Sequence, residues 1–407
     1  MLAIRLGVRN MIRYLRRTLI TTGTIAISFA MLVFTIGLSE GSYASVVDGA
    51  ARSGSGHVVL QSPGHDVLEP VPLPDAAAAL AAVAEAAPDA VAAPRSQVLV
   101  LARASSGAAS LMALGVDPMV ETEISMLPEV ITDGAWLSAE PGRVGKAVIG
   151  RSLAQRLRID VGDKLVLTAS DADEAVLVRV GGLFATGSPA VDDGLMVLHQ
   201  ATAAQLLGAD EVHQVAVVLD DFHDAARVAR RIEVEGVDSL TWAEAMPELG
   251  DYVRFDRQGA DVMFFTLFAL VGLAILNSIL MSVLERQREL GVLLALGTNP
   301  RTVFGMVLFE GLALSVVSVA VGLALGWAAV AYLGVDGVDL VALMGASADT
   351  GTIDVEGFAF DAIIYPEMDF SRTINGVLMV VGLTVLAALY PAYKAARVPP
   401  VEAISRI

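Results

Sequence analysis

The chain has 407 residues, 55% of them hydrophobic and only 18% charged, with a mean hydropathy of +0.64, which is too apolar for an ordinary soluble enzyme of this length. Its net charge of −18 argues against nucleic acid as a partner. The sequence contains no cysteine, which excludes a disulfide framework and a thiolate metal site.

The first segment, residues 1–17, carries Arg5, Arg9, Arg13, Arg16 and Arg17 and no acidic residue, so the positive-inside rule places it in the cytoplasm. Ile4, Val8, Met11, Ile12 and Leu15 give it an apolar side, and it reads as an amphipathic helix on the inner membrane surface. A charge-free run follows over residues 18–39, longer than the roughly 7–15 residues of a signal-peptide core, and predicts an uncleaved first transmembrane helix.

Residues 40–261 then alternate in pattern and are expected on the outer side of the membrane. Candidate strands are 57–61, 97–102, 164–168, 175–180, 194–198 and 214–219, bounded by Gly, Pro and Asp turn signals. Candidate helices are 74–87, 152–157, 200–207 and 222–233. The result is a mixed α/β (α+β) domain of about 220 residues, large enough for two lobes. Gly142 to Ala147 resembles a phosphate-binding loop only superficially: two residues separate its glycines where four are needed, and Ala147 follows Lys146 where a Ser or Thr must hold Mg²⁺. It reads as a surface turn before a strand. All five histidines, His57, His65, His199, His213 and His223, fall in this domain, with no pair at the i, i+4 spacing of a zinc protease.

A second charge-free run, residues 262–284, is long enough to span, since roughly 20 residues cross the hydrocarbon core. Residues 285–301 follow as a short loop expected in the cytoplasm. Within it Leu290, Leu293, Leu294 and Gly297 share one helical face, and Glu285, Arg286, Arg288 and Glu289 cluster at the N-terminal end, so a short amphipathic helix is predicted before the break at Asn299-Pro300. A helix of this kind docks into a partner's groove or simply continues the span along the interface. The third span, with its approach, occupies 302–335 and is charge-free from Gly311. Gly322 and Gly326 in it form a GxxxG that permits close packing between membrane helices. Asn277 and Glu310 are the main strongly polar residues at or within the spans, so the side chains of a proton relay are lacking, and Glu310 is read as an interfacial residue.

Residues 336–372 hold Asp336, Asp339, Asp349, Asp354, Glu356, Asp361, Glu367 and Asp369 against the single base Arg372, which agrees with an outer location. A fourth charge-free run, 373–393, leads to the tail 394–407, which alternation returns to the cytoplasm. The fold class predicted is therefore an α-helical membrane protein of four transmembrane helices, with a mixed α/β extracytoplasmic domain inserted between the first and second.

Three groups of residues carry a family resemblance. Glu285-Arg286, Glu289-Leu290-Gly291 and Ala295-Leu296-Gly297, followed by Phe309-Glu310-Gly311, make one signature. Pro391-Ala392, Ala395, Arg397, Pro400 and Glu402-Ala403-Ile404 make a second, with Ile404 where Leu is commoner. Ala113 to Pro118, Val148-Ile149-Gly150 with Leu153-Ala154, and Val161-Gly162-Asp163 make the third. Together and in this order they resemble the MacB/FtsX-type permease superfamily of ABC transporters, the type VII or mechanotransmission exporters.

That resemblance implies a permease subunit without catalytic residues of its own and with no cofactor, ATP and Mg²⁺ being bound by a separate cytosolic ABC ATPase. It implies an ATPase-coupling helix formed by Glu285, Arg286, Arg288, Glu289, Leu290, Gly291, Leu293, Leu294, Ala295 and Gly297. It further implies a second permease copy or paralogue as partner, a bacterial inner-membrane location, and both termini in the cytoplasm. Within the superfamily the lipoprotein-releasing branch, resembling LolC and LolE, is favoured, with lipoprotein or other lipidic cargo. The alternatives are MacB-like efflux with an adaptor, and FtsX-like regulation of cell-wall hydrolases without transport.

Overall fold

The computed structural model describes residues 15–169, 175–339, 352–355, 358–361 and 363–397. The predicted helix over residues 1–17 and the end of the tail lie largely outside them. The described chain forms two compact units, one of residues 1–42, 254–338 and 364–407, the other of 43–253 and 339–363.

Among the described residues, four helices are long and apolar enough to cross a membrane: α1 (Leu15–Ala50), α9 (Pro247–Glu285), α11 (Pro300–Asp336) and α12 (Phe370–Ala396). Each contains one of the charge-free runs, because composition alone fixes which stretches tolerate hydrocarbon. The helices run on past the apolar stretches, since a helix that has left the hydrocarbon has no reason to stop while one face stays covered. Thus Tyr43, Val46 and Ala50 at the end of α1 pack with Leu249 and Val253 at the start of α9.

In the apolar unit the helices meet through small residues and inward hydroxyls. Gly322 and Gly326 on α11 face α1 of the same chain: a Cβ on Gly322 would lie 2.6 Å from the Ala26 carbonyl oxygen, and one on Gly326 would lie 2.7 Å from Val33 Cβ. The GxxxG is thus buried inside the chain's own bundle, where only hydrogen fits. Thr21 and Ser278 share a hydrogen bond of 3.0 Å between α1 and α9. At one end of the bundle the buried carboxylate of Glu40 on α1 takes Arg257 Nη2 of α9 at 3.0 Å and Arg372 Nη1 of α12 at 2.9 Å. Three helices are tied there by one carboxylate.

The second unit is built on a ten-stranded sheet of order β10-β1-β9-β2-β3-β8-β5-β7-β4, with β6 paired to both β2 and β7. Its strands are β1 (Val58–Gln61), β2 (Val91–Arg103), β3 (Ala108–Val116), β4 (Ile131–Gly134), β5 (Gly145–Gly150), β6 (Lys164–Ala169), β7 (Ala175–Phe184), β8 (Leu195–His199), β9 (Gln214–Val218) and β10 (Asp238–Thr241). Pairing is antiparallel except for β3 with β8 and β5 with β7.

Strand β2, 13 residues long, serves two lobes. Its first half completes an antiparallel sheet with β9, β1 and β10, covered by α2 (Ala76–Ala86) and α7 (Ala225–Ala229) through Ala79, Val83, Val228 and Ala229. Its second half closes a ring of pairings through β3, β8, β5, β7 and β6. Val100, Leu111, Ile149, Leu165, Leu167, Val178 and Leu198 fill that ring, closed on its side by α4 (Arg151–Leu157) and α6 (Gln200–Leu207). Alternation along β2 gives both lobes an inward face.

Where the patterns predicted a helix over 222–233, the chain makes a 3₁₀ turn at Phe222–Asp224 and then only the five residues of α7. The strand predicted at 97–102 extends back to Val91, and β3, β4 and β10 fall outside the predicted strands. The turn read at Gly142 leads into β5, in agreement with the surface-turn reading.

Candidate coupling site

Helix α9 ends at Glu285, and Arg286, with φ −106° and ψ 12°, breaks it before α10 (Gln287–Ala295). The far end of α10 closes on Gly297, whose φ of +87° suits glycine, with Gly297 N–H donating to the Leu294 carbonyl and Thr298 N–H to that of Leu293. Asn299 then caps α11, its Oδ1 accepting from Arg301 N–H at 2.9 Å, with Pro300 at the first helical position. Local chemistry alone fixes a short helix between two stops.

The Arg286 side chain, only 9% exposed, sets how α10 is held. Its Nη1 donates to Glu310 Oε2 of α11 at 3.1 Å and its Nε reaches Glu289 Oε2 of α10 at 3.4 Å. Glu310, read from sequence as an interfacial residue, is thus the anchor for an arginine at the start of α10. Leu290 sits in one cluster with Ile279 and Val283 of α9, Val303, Met306 and Val307 of α11, and Ala392 and Ala395 of α12.

Of the residues named for this helix, Arg286, Leu290 and Gly291 are buried, Leu293 and Leu294 half-buried, and Glu285, Arg288, Glu289, Ala295 and Gly297 exposed. The outward face of α10 is the row Arg288, Val292 and Leu296, whose hydrophobic members are 40% and 78% exposed; of these the sequence reading named Arg288 for the coupling helix and Leu296 in the family signature, and missed Val292. Its signal was present as i, i+4 spacing, masked by an apolar run that continues all around the helix. An exposed apolar row with an arginine at one end, on a helix fixed by a buried ion pair, is suited to receiving a partner and passing displacement to α11.

In the second unit the histidines divide by role. His199 caps α6, its Nδ1 accepting from Ala201 N–H at 3.1 Å, and His223 lies 2.9 Å from Asp221. His57 is buried and accepts from Leu219 N–H at 3.1 Å. His65 and His213 join a polar network: His65 Nε2 lies 2.8 Å from Gln97 Oε1, Gln97 Nε2 donates to Gln214 Oε1 at 2.6 Å, and Gln97 N–H donates to His213 Nδ1 at 3.3 Å.

Burial, reinforced by His65 nearby, lowers the pKa of His213 from the ordinary 6.5 to about 4. Because the unfolded chain takes up this proton first as pH falls, the stability tied to neutral His213 is whole above pH 6.5 and is lost as pH drops toward 4. Melting of the protein in detergent, followed by tryptophan fluorescence, should fall across that window and fall less in His213→Asn, whose Oδ1 can still accept from Gln97. Equal slopes in the two proteins would show that His213 is not the titrating group.

Residues 18–234 match the family model described as the MacB-like periplasmic core domain, and residues 262–400 match the FtsX-like permease C-terminal model. The chain is similar to the lipoprotein-releasing system transmembrane protein LolC of Xylella fastidiosa, with 24% identity over 308 residues that cover 72% of each chain. It is also similar to the macrolide export ATP-binding/permease protein MacB of Nitrobacter winogradskyi, with 27% identity over 55% of this chain and 32% of that protein. Among solved structures, the extracellular domain of the noncanonic ABC-type transporter YknZ from Gram-positive bacteria aligns with 45% of this chain and 99% of its own, at a TM-score of 0.32 and 13% identity.

Proposed function

We propose a function from one premise, that the chain belongs to the MacB/FtsX-type permease family, whose periplasmic-core model alone matches residues 18–234. The protein is the permease subunit of an ABC transporter, driven by a separate cytosolic ATPase that binds ATP and Mg²⁺, and it works beside a second permease copy or paralogue. It lies in the bacterial inner membrane with both termini cytoplasmic, and the α/β unit inserted between the first and second spans faces outward. Its cargo is a lipoprotein or another lipidic molecule taken from the membrane.

The observation that carries this reading is α10, a short helix isolated by Arg286 and Gly297 between two membrane-length helices and joined to one of them by the Arg286–Glu310 pair. ATP-driven closure of the ATPase would push the face formed by Arg288, Val292 and Leu296. The buried ion pair would make α10 and α11 move together, and the bundle would carry the displacement outward. The lipidic cargo rests on the similarity to LolC along 72% of both chains. The similarity to MacB favours a second reading, export of a small molecule or peptide with an adaptor.

Gentle purification from native membranes, with mass spectrometry of the bound proteins and lipids, separates these readings. A P-loop ATPase with acylated lipoproteins is the expected result. An ATPase with a periplasmic adaptor would replace lipid extraction by efflux, and the absence of any ATPase would refute the transporter reading.

A further inference from the structure

Two of the chain's three lysines, Lys146 and Lys164, stand in one row of the second unit. Arg179 on β7 is the register partner of Lys164 on β6 and of Lys146 on β5, so three cations lie side by side across adjacent strands. Strands are about 4.8 Å apart, which puts the whole row within about 10 Å. All three side chains are exposed while Ala147, Leu165, Val178 and Val180 beside them are buried, so the row lies on the solvent face of the sheet. The stem of Lys146 lies against Gly181, where an added Cβ would stand 3.3 Å from Lys146 Cβ.

Like charges directly opposite one another on a sheet repel and destabilise it. Among the described residues none of these three makes an ion pair that would offset the repulsion. Arg179 Nη1 donates to the Gly162 carbonyl at 2.8 Å, which holds the guanidinium in place and leaves Nε and Nη2 for a ligand. Asp163, next to Lys164 in sequence, turns away from it: its Oδ2 accepts from Asp160 N–H at 2.9 Å. In a chain of net charge −18 the general field repels anions, so one that binds here is held by the row itself. Two residues further along the same face, Val166 and Leu177 are partners in register and are 37% and 42% exposed. Three cations so close together, beside two apolar side chains, fit a compact anion with an apolar part better than they fit a broad acidic surface.

We propose that this face binds the phosphate group of a lipid, with the phosphate oxygens on Lys146, Lys164 and Arg179 and the apolar part of the lipid over Val166 and Leu177. Arg179 supplies a planar fork for two oxygens, and the lysines supply point charges on either side of it. The site stands on the second unit alone and goes beyond the permease reading, so each can fail without the other.

The test is isothermal titration calorimetry of the full chain in phosphatidylcholine nanodiscs, in a buffer free of phosphate and with empty nanodiscs subtracted. The probes are glycerol phosphate, which has no acyl chain, dihexanoyl phosphatidic acid, which has two short ones, and tetraglutamate. Saturable binding of the phosphatidic acid is expected, about tenfold tighter than glycerol phosphate, with no binding of tetraglutamate. Arg179→Gln and Lys164→Gln should each weaken it at least fivefold, and Leu177→Ser should reduce it to the level of glycerol phosphate. Because the row repels itself, Lys164→Gln should leave the melting temperature of the ligand-free protein unchanged or higher. A lower one would mean that the lysine serves the fold, against the proposal. Equal affinity for the two phosphates would overturn the lipid half of the proposal and assign the row to soluble phosphates. Absence of saturable binding by either phosphate would overturn the whole of it, as would tetraglutamate binding as tightly as phosphatidic acid. So would unchanged affinity in both charge variants while their melting temperatures match the wild type.

Discussion

Replacing Arg286 with alanine should abolish ATP-driven activity while leaving the protein inserted in the membrane. The guanidinium bridges Glu289 on α10 and Glu310 on α11, and its side chain is 9% exposed while that of Glu310 is 15% exposed. Truncation removes the bond and strands the Glu310 carboxylate against apolar neighbours, at a cost of about 3 kcal/mol. Helix α10 would then retain Leu290 in its hydrophobic cluster but lose the polar tether between it and α11. Stimulation of the partner ATPase by the reconstituted permease should fall at least tenfold, and limited proteolysis should cut more readily near Arg288. Adding Glu310→Gln to Arg286→Ala should recover stability, because the stranded charge is gone, but not activity, because the tether is still missing. Wild-type stimulation in the single variant would remove the ion pair from the coupling route.

Glu121→Ala should be the most destabilising single change in the α/β unit. Arg95 on β2 and Glu121 on the short helix α3 (Pro118–Ile124) are 2% and 1% exposed, with Nη2 donating to Oε1 at 2.7 Å and Nε to Oε2 at 3.2 Å. The remaining Nη1 donates to the carbonyl of Gly54, in the π-helical turn Ala51–Ser55 that follows α1. This arginine thus fastens three segments distant in sequence, and Arg52 adds a bond to Glu129 at 2.8 Å nearby. Removing the carboxylate leaves a buried guanidinium with one partner, which costs about 3–5 kcal/mol. For a unit of this size that corresponds to a melting temperature lowered by roughly 10 °C. The pair Arg95→Met with Glu121→Leu should regain most of the loss, since well-packed apolar residues replace buried ions at little net cost. A melting temperature unchanged by Glu121→Ala would contradict the account of this joint.

These two ion pairs mark the limit of what the sequence reveals. The spans are legible because a run without charges has no other comfortable solvent, and the stops around α10 are legible because Gly, Asn and Pro have local conformational preferences. The strands rich in Val and Leu with Gly or Asp at their ends are legible too. Strand β3, Ala-Ala-Ser-Leu-Met-Ala-Leu-Gly-Val, is not, because its alanines and leucines suit a helix equally well and only pairing with β2 and β8 decides for a strand. Arg95 and Glu121 stand 26 positions apart, and neither shows in isolation that it is buried. Glu310 looks like an interfacial carboxylate until Arg286 is found beside it. The polar network of His65, Gln97, His213 and Gln214 likewise depends on residues that the sheet brings together.

The most direct measurement is photo-crosslinking in intact cells from a photoreactive residue at Leu296, compared with one at Val335. These side chains are 78% and 79% exposed, and they lie on α10's exit and near the far end of α11. A covalent adduct between position 296 and a cytosolic P-loop ATPase is expected, with none from position 335. An ATPase adduct from position 335, or none from position 296 in cells where the intact transporter is active, would contradict it.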